Sequence, residues 1–244
     1  MNYVDIHIHA LSGVDDGART DEEMYQMIDK AYLSGTRVIC FTPHCAPEYF
    51  GFNADQINRS FRKAKVYIKK RYPDMQAYLG NELQYSPEFS SWIHSGECRT
   101  MNGTRYLLVD FALSEEKEKI VRGVQSILNI GYHPILAHVE RYANLRRDLN
   151  TLYEIKHDGT LLQMDSQSLL GGFGFGVKLA SRRILKERLI DLISSDAHRV
   201  EGRTPDMTGA YKYVLDKYGK NRAERLFSAN ALRILNGEDI REGI

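Results

Sequence analysis

Two histidines near the start of the chain are spaced so that they could bind one metal ion. His7 and His9 stand in the segment Asp5-Ile6-His7-Ile8-His9, where polar and apolar residues alternate. This alternation is typical of a short β-strand, in which residues two apart project from the same face, with Cα atoms roughly 6–7 Å apart. Because paired histidines are also common on protein surfaces, the pair needs further ligands before it indicates a metal site.

The chain supplies such ligands where its other apolar runs end. Active sites of parallel α/β proteins lie at the carboxyl ends of the strands, so we expect these side chains to meet at one rim. Each of them alone could cap a helix, but the preferred caps are Ser, Thr, Asn and Asp, and five of the eight histidines occupy such positions. The residues at predicted strand ends, or in the loop after the first strand, are His7, His9, Asp16, His44, Glu82, Asp110, His138, Asp196 and His198.

Mixed imidazole and carboxylate ligands suit manganese, iron or zinc, and without cysteine the set excludes a Cys-type structural zinc site. One ion takes about four to six ligands, so nine residues suffice for two or three ions. Arg141 and Arg203 follow His138 and His198 on loops that leave the same rim. Guanidinium groups bind phosphate in a bidentate manner, so metals together with arginines predict a phosphoester substrate. The remaining histidines, His94, His133 and His157, are predicted to be structural or surface residues.

Strands that alternate with helices are predicted to position these residues. Thr20 and Glu23 form a capping box that opens a helix, and Gly35 ends it. The glycine-rich segment 171–176 matches neither a Walker loop nor a dinucleotide fingerprint, so we interpret it as a turn before a helix at 177–187. Strict alternation predicts a parallel sheet, closed or doubly wound. The seven predicted strands cover residues 4–9, 38–41, 76–82, 106–111, 133–138, 161–165 and 189–196.

Length and composition indicate a single globular domain over residues 1–244. Hydrophobic residues make up 43% and charged residues 27% of the chain, and the net charge of +1 gives no reason to expect nucleic acid or an anionic membrane as partner. No apolar run approaches the ~18 residues that span a bilayer, and we expect neither a secretory segment nor membrane insertion. Cys40, Cys45 and Cys98 are too few for a disulfide framework, so we expect reduced thiols and a cytoplasmic protein.

The ordered series of motifs resembles the polymerase and histidinol phosphatase (PHP) superfamily. Within it, the Val-Asp-Asp-Gly segment, the His-Val-Glu-Arg-Tyr segment and Gly202-Arg203 resemble the bacterial protein-tyrosine phosphatases of the capsular and exopolysaccharide type. The resemblance runs from Asp5 to about Asn236. The motifs that carry it are Asp5 to His9, Val14 to Gly17, Thr42-Pro43-His44, Gly80-Asn81-Glu82, Ala137 to Tyr142 and Ser195 to His198.

The resemblance implies a distorted, TIM-like (β/α)7 barrel with three divalent ions, manganese being expected and iron or zinc being alternatives. It implies hydrolysis of phosphotyrosine by a metal-activated water, with Arg141 and Arg203 binding the phosphate. The implied substrate is a phosphoprotein, the tyrosine-rich tail of a polysaccharide-export kinase. Asp110 stands where the family pattern has glutamate, and Asp15 competes with Asp16 as a ligand. The implied ligand sets are His7, His9, Glu82 and Asp196 for the first ion, Glu82, Asp110 and His138 for the second, and Asp16, His44 and His198 for the third.

Three other functions compete with this hypothesis. A small-molecule phosphomonoesterase of the same fold, acting for example on histidinol phosphate, would have the same residues at the metals. A nucleic-acid-processing PHP module is disfavoured by the near-neutral charge and by the lack of a basic stripe with interleaved aromatic residues. A non-catalytic barrel is disfavoured because all nine ligand positions and both arginines are present.

Overall fold

The computed structural model describes residues 2–240 and shows an α/β protein built on curled parallel sheet. All strand pairings in this range are parallel, as the alternation of strands and helices predicts. One sheet has the order β1-β2-β4 and the other the order β3-β5-β6-β7-β8-β9. The strands are β1 (Tyr3–Asp5), β2 (Thr36–Phe41), β3 (His44–Cys45), β4 (Gln76–Leu79), β5 (Glu82–Gln84), β6 (Tyr106–Asp110), β7 (His133–Leu136), β8 (Leu161–Asp165) and β9 (Leu192–Ser194).

The strand predicted at 76–82 is interrupted at Asn81, and the strand predicted at 38–41 is followed, after Pro43, by an additional short strand. Pro43 separates β2 from β3 and has no N–H to give to a ladder. Asn81 separates β4 from β5, and its amide donates to the Pro43 carbonyl (2.8 Å) while its Oδ1 accepts the Arg99 N–H (2.9 Å). The interruptions turn the ends of both segments toward the rim, and His44 and Glu82 are the first residues after them.

The first strand is shorter than predicted, because side-chain contacts interrupt its ladder beyond Asp5. The Asp5 carboxylate accepts the backbone N–H groups of Ser195 (3.0 Å) and His7 (3.4 Å). Ile8 forms only an isolated parallel bridge with Ala197, and its N–H donates to the Thr42 hydroxyl (2.9 Å). These bonds join the segment around His7 and His9 to the residues that follow β9, so the first and last strands approach each other.

The helices surround the sheet, and alternate strand residues fill the space inside it. Val38 and Cys40 of β2 and Leu108 of β6 belong to one buried cluster, which α11 residues such as Ile234 also join. Neighbouring strand residues such as Leu107 instead pack outward against helices. The helices are α1 (Asp21–Leu33), α2 (Pro47–Phe50), α3 (Ala54–Arg71), α4 (Phe89–His94), α5 (Lys117–Asn129), α6 (Leu149–His157), α7 (Ser166–Leu170), α8 (Phe175–Lys186), α9 (Thr208–Tyr218), α10 (Lys220–Glu224) and α11 (Asn230–Asn236), with a π-helical turn over Arg225–Ala229.

Local sequence signals account for most helix ends. The Thr20 side chain accepts the Glu23 N–H (3.1 Å) at the start of α1, and the Glu23 carboxylate accepts the Arg19 N–H (2.8 Å). Gly237 ends α11 in the left-handed conformation. Across residues 2–240, none of the helices combines the length and the apolar character needed to span a bilayer.

Candidate metal centre

Glu82 lies at the middle of the site and touches four imidazoles. Its Oε1 lies 3.1 Å from Nε2 of His7 and 3.1 Å from Nε2 of His138. Its Oε2 lies 3.1 Å from Nε2 of His9 and 3.1 Å from Nδ1 of His44. The ligands predicted from four separate strand ends therefore converge on one buried carboxylate, and His7 and His9 project to the same side as their spacing predicts.

Asp15 and Asp16 have separate roles, although they are consecutive. The Asp16 Oδ1 lies 3.3 Å from Nε2 of His198 and 3.5 Å from Nε2 of His44 at the half-exposed edge of the site. The buried Asp15 carboxylate accepts the N–H groups of His44 (3.0 Å) and Gly17, and its Oδ2 lies 2.9 Å from Nδ1 of His9. Asp15 thus forms the turn and orients His9, while Asp16 faces the other imidazoles.

Asp110 lies against Glu82 and His138, with no partner for one of its oxygens. The Asp110 Oδ1 is buried and accepts no hydrogen bond within residues 2–240. Burial and then the neighbouring Glu82 carboxylate raise the pKa of Asp110 well above its usual range. Two carboxylates in a dry site repel each other unless a cation lies near them, so this pair fits a divalent ion.

The donor atoms of the cluster also fit metal ions. The Nε2 atoms of His7 and His9 are buried and lack hydrogen bonds in the described chain, although carboxylate oxygens lie 3.1 Å away. Nitrogen and oxygen atoms that lie close together without forming a hydrogen bond fit a shared cation, because each atom can then direct a lone pair at the ion. Three groups have ligand atoms within 4.8 Å of one another: His9, Asp16, His44 and His198; His7, His9 and Glu82; and Glu82, Asp110 and His138.

Both predicted phosphate-binding arginines reach the same carboxylate. Arg141 Nη1 lies 2.8 Å from Asp196 Oδ2, and Arg203 Nη2 also contacts this oxygen. The Asp196 Oδ1 faces Nε2 of His7 at 3.3 Å. The Phe173 ring lies under both guanidinium groups, 4.5 Å from Cζ of Arg141 and 5.7 Å from Cζ of Arg203. The glycine-rich segment, which we interpreted only as a turn, therefore places an aromatic ring at the site.

A buried layer behind the ligands was not predicted from the sequence. The Gln163 amide oxygen accepts the His138 N–H (2.7 Å) and lies 3.2 Å from Nδ1 of His7, and its nitrogen donates to Asp165 (3.1 Å). Asp165 in turn lies 3.3 Å from Arg141. Asp165 ends β8 at the same rim, so the strand-end rule could have identified it, whereas a glutamine within a strand gives no such signal.

Two residues of the site have left-handed backbone conformations, which non-glycine residues rarely adopt. His138 has φ +35° and Asp196 has φ +49°. Such conformations cost of order 1–3 kcal/mol each and occur mainly at functional sites, where surrounding contacts enforce them. Each residue lies two positions after the end of a short strand, so the backbone turns there to aim their side chains at Glu82 and His7.

The charge balance of the rim favours cations. Burial lowers the pKa of His7, but Glu82 and Asp196 outweigh it and raise that pKa to about 9. Burial is likewise outweighed at His44, chiefly by Glu82, and the pKa of His44 rises to about 10. At His198, burial and the adjacent His9 lower the pKa to about 4. Carboxylates therefore dominate the field around Glu82, and a positive charge is stabilised there.

The residues predicted to lie away from the site do so. His133 begins β7 at the opposite end of the sheet, beside Tyr106, and His157 is exposed at the end of α6. His94 lies at the end of the short helix α4. Cys40, Cys45 and Cys98 are free thiols and buried.

Comparisons with known proteins agree with this geometry. The chain is 31% identical over 242 residues to tyrosine-protein phosphatase CpsB of Streptococcus agalactiae serotype III, covering 97% of this chain and 100% of that relative. It is 29% identical over 244 residues to tyrosine-protein phosphatase YwqE of Bacillus subtilis, covering 97% of this chain and 93% of that relative.

A solved structure agrees as well. The matched structure is described as one of the crystal structures of YwqE from Bacillus subtilis and CpsB from Streptococcus pneumoniae, unique metal-dependent tyrosine phosphatases. It matches with a TM-score of 0.90 at 26% identity, covering 99% of this chain and 96% of the other. A lactonase from Listeria monocytogenes, 11% identical with a TM-score of 0.54 over 98% of this chain and 95% of the other, shares the fold alone.

A family model described as capsular polysaccharide synthesis, CpsB/CapC, matches residues 3–236. The match covers the whole length over which the motifs were expected to extend, so the predicted resemblance to capsular-type proteins is confirmed. The chain belongs to the CpsB/CapC family of capsular polysaccharide synthesis proteins.

Proposed function

We propose that this chain is a metal-dependent protein-tyrosine phosphatase. The observation that carries the proposal is the convergence of four imidazoles on Glu82, beside an aspartate that two arginines contact. Relatives that align with 97% of the chain are named tyrosine-protein phosphatases. In the proposed reaction a water oxygen attacks phosphorus, the bond from phosphorus to the phenolic oxygen breaks, and tyrosine and inorganic phosphate leave.

We propose three ion positions, with manganese as the ion. His7, His9, Glu82 and Asp196 would hold the first, Glu82, Asp110 and His138 the second, and Asp16, His44 and His198 the third. The ligand groups found in the structure support the shared role of Glu82, which belongs to two of them. Asp196 lies outside all three groups, and His9 also belongs to the group of Asp16, His44 and His198. Bound divalent ions supply Lewis acidity for phosphate oxygens and lower the pKa of water toward neutrality.

Arg141 and Arg203 are proposed to bind the phosphate. Arg203 Nε is buried and makes no hydrogen bond among residues 2–240, so a phosphate oxygen would satisfy it. Asp196 and Asp165 hold the Arg141 guanidinium in place, and the Phe173 ring restricts both guanidinium planes. Fixed guanidinium groups orient the phosphate for in-line attack and exclude other orientations.

We further propose a closed (β/α)7 arrangement in a single domain over residues 1–244. The parallel bridge between Ile8 and Ala197 supports closure, because it links the segment after β1 to the segment after β9. The proposed substrate is the tyrosine-rich tail of a kinase of polysaccharide export, encountered in the cytoplasm. The family's description as capsular polysaccharide synthesis supports this assignment.

Turnover measured on three substrates tests the proposal. Manganese-loaded protein is assayed on para-nitrophenyl phosphate, a phosphotyrosyl peptide and histidinol phosphate. We expect hydrolysis of the first two, with a higher kcat/KM for the phosphotyrosyl peptide than for histidinol phosphate. Preference for histidinol phosphate would instead indicate the small-molecule phosphomonoesterase, and inactivity on all three would refute a phosphatase.

Two treatments separate the metal site from cysteine chemistry. A chelator should abolish turnover, whereas alkylation of native protein should spare it, because all three thiols are buried and none lies in the cluster. His138→Ala removes one of the four imidazoles on Glu82 and should abolish turnover as well. Unchanged turnover in His138→Ala would contradict the proposed site.

A further inference from the structure

A basic cleft on the side of the molecule is not used by the proposed reaction. It is an open depression of about 530 Å³ between α1 and α3. Its floor consists of Tyr25, Val66 and Tyr67, and the two tyrosine rings stack with centroids 4.1 Å apart. Its rim carries Arg59, Arg62, Lys63 and Lys70, and no acidic residue lines it.

The rim cations are mostly unpaired. Lys63 forms an ion pair with Asp21 at 2.6 Å. Arg59, Arg62 and Lys70 are exposed and have no carboxylate within ion-pairing distance among the described residues. In α3 as a whole, seven Lys and Arg side chains stand against one Asp, a net charge of +6 in a chain of net charge +1. The positive charge of the protein is therefore concentrated on this helix, and the rest of the chain is net acidic.

This concentration of charge opposes helix stability. Arg59 lies three residues before Arg62 and four before Lys63, spacings at which like charges repel on one helix face. Val66 remains 69% exposed in the middle of the same face. An exposed apolar floor with a repelling cationic rim is stabilised by a ligand that has negative charges around an apolar or aromatic group.

We propose that the basic cleft is a docking site for an acidic polypeptide segment that inserts an aromatic or aliphatic side chain. Charge complementarity favours an acidic chain as the ligand. An interfacial membrane helix needs a row of projecting apolar residues. The exposed large hydrophobic residues of α1 and α3 are Leu33 and Val66, and Val66 belongs to the floor of the cleft. These two helices therefore have no such row.

The cleft is structurally linked to the metal centre. α3 holds the loop that carries Asp16, because Ser60 Oγ accepts the Ser12 N–H (2.8 Å) and the Asn53 amide donates to the Val14 carbonyl (2.6 Å). A docked segment would therefore lie along the helices that support one edge of the catalytic rim. The docking proposal nevertheless stands without the proposed catalytic function, since it rests on the cleft alone.

Binding of a labelled, unphosphorylated copolymer of glutamate and tyrosine tests the proposal. The full chain is titrated at low ionic strength, and fluorescence anisotropy gives the affinity. The test variant is Arg62→Glu with Lys70→Glu on the rim. The matched control is Lys65→Glu with Lys69→Glu, which makes the same charge change on the same helix. These two lysines line a neighbouring depression beside Pro73 and Ala77 that shares only Val66 with the cleft.

We expect the rim variant to lose about tenfold or more in affinity for the copolymer, because two exposed ion pairs with it are lost and replaced by repulsion. The control variant should lose less than about threefold, because its two lysines do not line the cleft. Polyglutamate should bind more weakly than the copolymer, since it cannot fill the floor. The far-UV circular dichroism spectrum should be unchanged in both variants, which verifies that they fold.

Four results would overturn the docking proposal. These are failure of the wild type to bind the copolymer, equal losses in the two variants, equal binding of copolymer and polyglutamate, and tighter binding to phosphatidylglycerol vesicles or duplex DNA than to the copolymer. None of these results depends on phosphatase activity, so failure of the docking proposal and failure of the proposed function are distinguishable.

Discussion

Gln163 is expected to control the geometry of the metal centre without touching a metal. Its amide lies fully buried in β8 and connects His138, His7 and Asp165 through contacts of 2.7, 3.2 and 3.1 Å. The bond to the His138 N–H holds a backbone with φ +35°, and the contact with Nδ1 of His7 leaves Nε2 facing Glu82. Gln163→Leu keeps the approximate volume of the side chain and removes all three polar contacts.

The expected loss follows from these contacts. Each buried hydrogen bond contributes about 1 kcal/mol net, so removing three lowers the free energy of unfolding by about 3 kcal/mol. This is a large share of the ~5–15 kcal/mol that stabilises a typical domain. Removing a partner that orients a ligating histidine lowers metal affinity about 10–100-fold. Both losses should appear, because the same amide holds the backbone of His138 and the ring of His7.

Two measurements check the Gln163→Leu prediction. Urea unfolding in the presence of chelator gives the stability of the metal-free protein, and competition with a coloured chelator gives the manganese affinity. Gln125→Leu, on the exposed face of α5, makes the same chemical change and should alter neither quantity. Wild-type metal affinity in Gln163→Leu, together with a stability loss below about 1 kcal/mol, would refute the reasoning from these contacts.

Three further outcomes are expected. Hydrogen bonds from Lys117 and then Thr151 lower the pKa of Asp148, the N-cap of α6, to about 2. Asp148→Ala should therefore lower the free energy of unfolding, measured with urea at pH 7, by about 1 kcal/mol. The difference in stability between wild type and variant should shrink as the pH falls from about 4 toward 2, because the native carboxylate of the wild type becomes protonated there. Gly17→Ala places a Cβ 1.9 Å from the His9 carbonyl oxygen and should lower the unfolding free energy by about 1–3 kcal/mol, whereas Gly176→Ala, with no atom closer than 4.0 Å, should not lower it. The buried thiols, including Cys40, whose pKa is raised by burial, should react with a thiol reagent only after unfolding in urea.

The residues at the rim were predictable because of one topological rule. Apolar runs identify strands, and parallel strands bring their carboxyl ends together, so polar residues after each run must meet. His44, Glu82 and His138 come from three such ends and lie around one point in the structure. The three ion positions, the closed barrel and the substrate came from the resemblance to a known family, and they remain proposals.

Other features depend on contacts between distant parts of the chain and have no local signal. The interruption at Asn81 depends on its hydrogen bond with the Pro43 carbonyl, so the strand predicted at 76–82 became two shorter ones, and β3 formed beyond the strand predicted at 38–41. Asp15 and Asp16 could not be distinguished by type or spacing. Asp15 became buried only because the His44 N–H and the His9 ring lie beside it in the fold.

Asp110 shows how the site and the stability of the fold conflict. One of its oxygens has no hydrogen bond among residues 2–240, and both burial and Glu82 disfavour its charge, so it contributes little to holding the strands together. An apolar residue at the end of β6 would avoid this penalty. Although aspartate is one methylene shorter than the glutamate of the family pattern, an oxygen of Asp110 still lies within 4.8 Å of ligand atoms of Glu82 and His138. The shorter side chain therefore reaches the cluster, where a cation between the two carboxylates would offset the repulsion from Glu82.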